Sequence, residues 1–238
     1  MLVLVSESPM LHRMRETWFH LDSGIQAPEV NMAVDEALLE ASASLGSPVL
    51  RTYGWSLPAA TFGYFQRYDE IAALTSLRPL IRRPTGGGLV PHDTDWTYSV
   101  VVPPGHGRYR VSAETSYRLQ HEWLRSAFAA VGVPTELAPC CDARGPGQCF
   151  IGAEKHDLLH GGLKIAGAAQ RRNRLGLLIQ GSMQPKSLEV PRTAWEGALR
   201  EVCRDVDWRP LVVTPSLEER VGVLAAEKYG AAIYNRRR

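Results

Sequence analysis

The apolar positions are most regular between Ala113 and Val131, where they recur at helical spacing. This segment is predicted to be an amphipathic helix, because its large apolar side chains fall near one stripe: Leu119, Trp123, Leu124, Phe128 and Val131. A second helix is predicted from Pro28 to about Ser44, since proline is tolerated in a first turn and Gly46-Ser47-Pro48 stops the helix. Two more helices are predicted near 193–204 and 216–229.

Shorter apolar runs predict strands, in chain order Trp18–Leu21, Val49–Tyr53, Ala60–Tyr64, Leu80–Ile81, Thr97–Val102, 156–160, 163–170 and Leu175–Gln180. The second and third are expected to pair with each other around the turn-prone residues 54–58. His160-Gly161-Gly162 predicts a hairpin between the sixth and seventh. Several hairpins without a regular βαβ alternation favour an α+β fold, with a mixed, partly antiparallel β-sheet packed with helices.

The bulk composition fits one ordinary globular domain. The 238 residues show no repeat or long linker, so we expect a single catalytic domain over 1–238, with an extension at 1–16 and a core at about 17–230. A net charge of +2 gives no strong attraction to nucleic acid or an anionic membrane. With no bilayer-spanning run and no secretory signal, a cytoplasmic location is expected, where cysteines are more often thiols than disulfides.

Basic residues cluster at three places, Arg82-Arg83, Arg171-Arg172-Asn173-Arg174 and the terminal Arg236-Arg237-Arg238. The simplest interpretation of each cluster is a solvated face or tail, and for the terminal triplet that interpretation is preferred.

A glycine-rich loop follows one predicted strand. Gly86, Gly87 and Gly88 lack Cβ atoms, so their backbone N–H groups can converge on an anionic ligand, and Arg83 can add charge and hydrogen bonds. The spacing matches neither the Walker nor the Rossmann motif, and a mobile surface loop is the alternative. His92-Asp93 is expected to brace this loop through a histidine–carboxylate hydrogen bond, or to be a polar turn.

Lys164 lies in a strand of small residues, Ala166, Gly167 and Ala168. Small residues open a groove in which a ligand can lie against the backbone, within reach of the ammonium group. The alternative is an edge-strand lysine that points to water.

Cys149 lies in a Gly-Pro loop, where a thiol is accessible, whereas Cys203 near the end of a helix is expected to pack as a small hydrophobe. A loop thiol becomes a nucleophile when a nearby cation favours the thiolate, and Lys164 is the candidate cation. A zinc site from Cys140, Cys141, Cys149, His156 and His160 is disfavoured, because adjacent cysteines do not form a C-x-x-C knuckle. No metal or cofactor is expected.

Four segments resemble the lipoate–protein ligase and octanoyltransferase superfamily. They are 31–39 (NMAVDEALL), the strand pair 50–55 and 62–66, the loop 82–93 (RRPTGGGLVPHD) and the lysine strand 164–170 (KIAGAAQ). The resemblance implies a biotin/lipoate ligase-like catalytic domain. Cys149-Phe150 lies where the octanoyltransferase subgroup places its nucleophilic cysteine, and only about 55 residues follow Met183, few for the extra domain on which the ligases generally depend.

The resemblance implies an acyltransferase that moves an octanoyl or lipoyl group from acyl carrier protein, through a Cys149 thioester, to a lysine of a lipoyl-domain protein. The glycine cleavage H protein and a dehydrogenase E2 subunit are examples of such acceptors. Lys164 is the second catalytic residue, and the expected substrate-binding residues are Arg83, Gly86, Gly87, Gly88, His92, Ala166, Gly167 and Ala168. Among them, Gly86 to Gly88 and Ala166 to Ala168 are expected to form the walls of an acyl-chain slot, with Arg83 near its mouth.

Two positions depart from the family pattern, Pro91 in place of an aromatic residue and Gln180 in place of a common histidine. Three alternatives stay open. They are an ATP-dependent lipoate–protein ligase, an amidotransferase between two lipoyl domains, and a non-catalytic module that binds a modified partner.

Overall fold

The computed structural model describes residues 15–141, 152–185 and 188–237. The helices are α1 (Pro28–Leu45), α2 (Tyr68–Ala72), α3 (Gly107–Arg110), α4 (Ala113–Ala130), α5 (Arg192–Glu201), α6 (Pro215–Leu224) and α7 (Ala232–Asn235). The strands are β1 (Glu16–Gln26), β2 (Val49–Trp55), β3 (Ala59–Phe62), β4 (Leu80–Arg82), β5 (Val90–His92), β6 (Trp96–Val102), β7 (Glu136–Leu137), β8 (Leu158–His160), β9 (Leu163–Asn173), β10 (Gly176–Met183) and β11 (Val206–Pro210).

Eight strands form one mixed sheet in the order β11-β1-β2-β6-β10-β9-β8-β7. Strand β1 is parallel to both of its neighbours, and the remaining pairs are antiparallel. The hairpin predicted at His160-Gly161-Gly162 joins β8 to β9, and both glycines adopt positive φ angles of 57° and 76°. The predicted α+β fold with a mixed, partly antiparallel sheet is therefore confirmed.

Helices cover both faces of this sheet because its central strands alternate between two cores. On β6, Val100 and Val102 pack with α4 and α5, whereas Val101 packs with α1. Strand β10 follows the same rule, with Leu177 and Ile179 on the α4 face and Leu178 on the α1 face. We call these the α4 face and the α1 face. This alternation fixes which side chains of the neighbouring β9 point to which face.

The helix boundaries predicted from sequence agree closely with the structure. Helix α1 begins at Pro28, and Gly46 ends it in the left-handed conformation, with its N–H donating to the Ser42 carbonyl at 3.1 Å. Ser112 caps α4 by accepting the Thr115 N–H. The helix predicted near 216–229 is α6 continued by one π-helical turn, Ala225–Tyr229.

The predicted pairing of Val49–Tyr53 with Ala60–Tyr64 is wrong. Strand β2 already has β1 on one side and β6 on the other, so it offers no free edge. The exposed residues 56–58 lead the chain out of the sheet, and β3 joins β4 and β5 in a separate three-stranded sheet. The small sheet carries the glycine-rich loop, because that loop connects β4 to β5.

No helix in the described part of the chain combines the length and the apolar character that a bilayer-spanning segment requires.

Candidate functional site

Lys164 is almost completely buried and forms an ion pair with Asp157. Its Nζ lies 2.7 Å from Asp157 Oδ2, and the two side chains are 8% and 0% exposed. The same Nζ lies 3.4 Å from the carbonyl oxygen of Gly152. A buried ammonium group needs a charged partner, because the cost of removing it from water is otherwise several kcal/mol. The interpretation of Lys164 as an edge-strand lysine that points to water is therefore wrong.

Asp157 is held in place from two further directions. Its Oδ2 accepts the Glu154 N–H at 2.6 Å, and its Oδ1 accepts the hydroxyl of Tyr117 on α4. Burial and the adjacent carboxylate raise the pKa of Tyr117 well above its usual value, so this hydroxyl stays a donor. The carboxylate is thus fixed before any ligand binds, and it fixes the ammonium group of Lys164.

A β-bulge decides which face of the sheet Lys164 occupies. Leu158 pairs with Ala166 while the next residue, Leu159, pairs with Lys164, so Ile165 is the extra residue on β9. Ile165 and Ala166 both pack into the α4 core, and Lys164 is left on the α1 face together with Gly167. A Cβ atom at Gly167 would lie 2.9 Å from Lys164 Cε and 3.1 Å from its Nζ.

The small residues of β9 consequently divide between the two faces. Ala166 is fully buried in the α4 core and Ala168 packs against that core, whereas Gly167 faces Lys164. Ala169 pairs with Gln180 and shares its face, which is the face of the glycine-rich loop. Gly167 and Ala169, and not the side chains of Ala166 and Ala168, lie on the side of the ammonium group.

The glycine-rich loop lies against Gly63 of the small sheet. A Cβ atom at Gly63 would lie 1.9 Å from the carbonyl oxygen of Gly87, whose own φ is +82°. Arg83, which is 3% exposed, donates from Nε to the Gly86 carbonyl at 3.0 Å and from Nη2 to the same oxygen at 2.5 Å. Its guanidinium group therefore braces the loop that follows it.

A buried polar network connects the same loop to the main sheet. The Thr85 hydroxyl donates to Gln180 Oε1 at 2.7 Å, and Gln180 Nε2 donates to Asp35 Oδ2 at 2.7 Å. Asp35 in turn forms a fully buried ion pair with Arg51 at 2.7 Å and accepts the Ser99 hydroxyl at 2.6 Å. The amide of Gln180, the departure from the family pattern, thus links the loop to Asp35, because its oxygen accepts from Thr85 and its nitrogen donates to Asp35.

His92 is a buried residue whose carboxylate partner is Asp95. Its Nδ1 lies 2.8 Å from Asp95 Oδ2, its Nε2 lies 2.8 Å from the Thr61 hydroxyl, and its ring stacks on Trp55 at 3.8 Å. The predicted histidine–carboxylate hydrogen bond is therefore present, but its carboxylate is Asp95 and not the adjacent Asp93, which is exposed. Asp95 also accepts the Ser182 hydroxyl at 2.7 Å, which joins the end of the loop to β10.

Cys149, the candidate nucleophile, lies outside the described residues. Of the other three cysteines, Cys140 and Cys141 are exposed thiols, and Cys203 is half-buried against the α4 core. Burial raises the pKa of Cys203, which makes it a poor nucleophile. In residues 15–141, 152–185 and 188–237, no group of three His, Cys, Asp or Glu side chains is arranged to hold a metal ion.

Sequence reasoning missed the two anchors of the site, Asp157 and Tyr117. Asp157 lies within the predicted strand 156–160, one residue before β8, and Tyr117 lies within the predicted helix that is α4, so neither residue stands out from its neighbours in the sequence. No local pattern marks them, because their shared contact joins α4 to β8 and β9.

A mixed sheet between two helical layers, a glycine-rich loop on a small side sheet and a buried lysine on the facing strand define a protein of the lipoyl protein ligase A/B catalytic-domain class. The chain belongs to this family, whose model matches residues 27–187. The family expected from the sequence is therefore confirmed.

Two curated relatives above 30% identity are octanoyltransferases. The chain is 32% identical to octanoyltransferase LipM of Lysinibacillus sphaericus over 225 residues, which cover 87% of this chain and 82% of the relative. It is 35% identical to octanoyltransferase LipM of Geobacillus kaustophilus over 182 residues, which cover 71% of this chain. The match spans 66% of that relative, just under two thirds of its length.

Solved structures show the same fold at lower sequence identity. A crystal structure of lipoate-protein ligase A bound with ATP superposes with a TM-score of 0.76 at 21% identity, covering 94% of this chain and 99% of the other. A bi-partite lipoate protein ligase from Thermoplasma acidophilum superposes with a TM-score of 0.71 at 20% identity, over 94% and 96% of the two chains. The biotin/lipoate ligase-like fold is therefore confirmed.

Proposed function

We propose that this protein is an octanoyltransferase that carries an octanoyl group from acyl carrier protein to a lysine of a lipoyl-domain protein, through a thioester on Cys149. The observation that carries the proposal is the buried Lys164–Asp157 pair beside Gly167, because it presents one fixed ammonium group to a strip of small residues, Gly167 and Ala169. The names of the curated relatives support octanoyl transfer as the reaction.

In the first step, the thiolate of Cys149 attacks the carbonyl carbon of the octanoyl thioester. The bond from that carbon to the carrier's sulfur breaks, and the departing thiolate takes a proton to become the free carrier thiol. The ammonium group of Lys164 stabilises the negative charge that develops on the carbonyl oxygen, since it is prepositioned in a site that excludes most water. Asp157 offsets part of this field, and in return it keeps the ammonium group in one orientation.

In the second step, the neutral amine of the acceptor lysine attacks the acyl-enzyme carbonyl. An amide bond forms, the bond to the Cys149 sulfur breaks, and the amine's extra proton is released, so the enzyme returns to its starting thiolate. The octanoyl chain is proposed to lie along Gly167 and Ala169, under the loop that Arg83 and Gln180 hold in place.

The donor and the acceptor are proposals of the same kind. A solved Thermoplasma acidophilum structure describes a lipoate protein ligase together with its E2 lipoyl domain, which supports a lipoyl domain as the acceptor here. A cytoplasmic setting suits the proposed chemistry, because thiols stay reduced there.

The test is mass spectrometry of the intact protein after mixing with octanoyl carrier protein. We expect the protein to gain the mass of one octanoyl group, mapped to Cys149, and to lose it when a lipoyl domain is added. Cys149→Ser should abolish this adduct, whereas the matched variant Cys141→Ser, which changes an exposed thiol eight residues earlier, should retain it.

Three results would contradict the proposal. Transfer at the wild-type rate by Cys149→Ser would show that the thioester is not on the pathway. Pyrophosphate release from ATP and free octanoate would show an adenylating ligase, because a transferase uses no ATP. An octanoyl group arriving only from an octanoylated lipoyl domain would instead identify the amidotransferase.

A further inference from the structure

Two basic clusters that are far apart in the sequence meet around one tyrosine of the small sheet's loop. The guanidinium carbon of Arg171, on β9, lies 5.7 Å from the centroid of the Tyr64 ring, and that of Arg237 lies 4.3 Å from the same ring. Arg236 lies 5.0 Å from the neighbouring ring of Tyr68. We call Arg171, Arg236 and Arg237 the cationic rim.

The folding of the C-terminal segment brings these charges together. Asn235, at the end of α7, accepts the backbone N–H of Arg82 at 2.8 Å through its side chain, and its carbonyl accepts the Arg82 guanidinium at 3.0 Å. Arg82 also donates to the Tyr64 carbonyl at 2.8 Å. Arg236 and Arg237 are therefore held close to the start of the glycine-rich loop.

Among the described residues, the charge of the cationic rim is not offset by neighbouring carboxylates. In the described part of the chain, no carboxylate lies within 4.0 Å of Arg171, Arg236 or Arg237, although the exposed arginines Arg209 and Arg220 each have one. Aromatic faces support the three guanidinium groups, but they do not neutralise them. Three like charges held together in this way favour an anionic partner and accelerate its approach.

The position of the rim along β9 indicates which partner binds there. Arg171 shares the α1 face with Gly167 and Ala169, and Arg171 Nη1 lies 3.5 Å from the Pro84 carbonyl at the start of the glycine-rich loop. Six residues, one of them in the bulge, separate Arg171 from Lys164, a distance of about 20 Å along the strand. The small-residue strip fills the interval between them.

We propose that the cationic rim is the docking surface for the acidic face of the acyl donor, a carrier protein whose acyl group hangs on a long phosphopantetheine arm. A partner that docks about 20 Å from Lys164 can deliver its acyl group there only on an extended arm. This inference rests on the proposed function and adds the surface that selects the donor.

The test compares two acyl donors with the same arm, one attached to a carrier protein and one without a protein. The charge-reversed variant Arg236→Glu/Arg237→Glu is assayed with octanoyl carrier protein and with octanoyl-pantetheine, which has the arm but no protein. At low salt, we expect kcat/KM for the carrier to fall about ten-fold, mostly through KM, and the value for octanoyl-pantetheine to change less than about two-fold. The difference should shrink as salt is raised.

Two further variants make the result specific. Arg125→Glu/Arg204→Glu, which changes exposed arginines on α4 and after α5, alters net charge equally and should leave both donors unaffected. The neutral variant Arg236→Ala/Arg237→Ala introduces no reversed charge beside the Asn235 contact. It should show a smaller loss in kcat/KM with the carrier, about three-fold. Melting temperatures of all variants report on folding.

An equal loss with both donors, no loss with the carrier, or a raised KM for the lipoyl domain alone would each overturn the docking proposal. Failure of the proposed function gives a different result from failure of the docking proposal, because wild-type protein would then form no thioester with either donor. In that case fluorescence anisotropy of labelled carrier decides the docking proposal separately. Binding that the charge reversal weakens supports the rim, and binding that it leaves unchanged overturns it.

Discussion

Substituting Gly167 by alanine tests the site at the point where its geometry is tightest. The new Cβ atom would lie 2.9 Å from Lys164 Cε, 3.1 Å from Lys164 Nζ and 3.2 Å from Asp157 Oδ1. Carbon atoms need about 3.5 Å, so the end of the lysine must retreat by roughly 0.6 Å. Asp157 is held by the Glu154 N–H and the Tyr117 hydroxyl, and it resists moving with the lysine.

The expected outcome separates activity from stability. A misplacement of 1 Å costs on the order of 100-fold in rate, so a retreat of about 0.6 Å should slow acyl-enzyme formation by about ten-fold or more. The free energy of unfolding should change only modestly, because the crowded atoms are the far end of a flexible side chain. Overpacking costs about 1–3 kcal/mol, and the lost glycine entropy returns roughly 0.4–1 kcal/mol. The net loss should stay below about 2.6 kcal/mol.

Two measurements check this expectation. Rapid-quench mass spectrometry gives the single-turnover rate of octanoyl transfer to the protein, and urea titration gives the free energy of unfolding. Gly222→Ala is the matched control, because nothing lies within 4 Å of the Cβ it adds on helix α6. A Gly167→Ala rate within about two-fold of wild type would refute the reasoning that Lys164 must stand where it does.

Three other predictions concern the scaffold of the site. Gly63→Ala should destabilise the protein by about 2 kcal/mol or more in urea titration, because its Cβ would lie 1.9 Å from the rigid Gly87 carbonyl; unchanged stability would show that the loop yields freely. Gln180→Leu should cost about 2–4 kcal/mol in the same assay, because it leaves the buried Thr85 hydroxyl without its acceptor and takes one donor from the buried Asp35 carboxylate, which keeps Arg51 and Ser99; Gln180→Glu should be no milder, because it restores the acceptor for Thr85 but sets a second carboxylate against Asp35. Burial lowers the pKa of His121 to about 4, below the value of about 6.5 in the unfolded chain, so the unfolded state binds the proton first. The free energy of unfolding should therefore fall by about 3 kcal/mol as pH drops from 6.5 to 4. His121→Gln should reduce this pH dependence, and an unchanged pH dependence in the variant would contradict the assignment to His121.

Local sequence determined the four longer helices, α1, α4, α5 and α6, and most strands of this protein. The periodic apolar stripe of α4, Pro28 at the start of α1 and the paired glycines at Gly161 and Gly162 act over a few residues, so their signals are complete in the sequence. The glycine-rich loop and the small-residue strand with Lys164 were visible for the same reason. Strands β5, β7 and β11 were not predicted, because they are two to five residues long and form only against partners already in place.

Tertiary structure alone decided which of these residues face one another. The bulge at Ile165 sends Ala166 and Ala168 to the α4 core and leaves Lys164 beside Gly167, and a cross-strand register of this kind has no local signal. The same holds for the pairing of Lys164 with Asp157, and for the arginines from β9 and the C-terminal segment that meet around Tyr64. Contacts between distant segments depend on where the whole sheet places them, because charge and packing act through space and not along the chain.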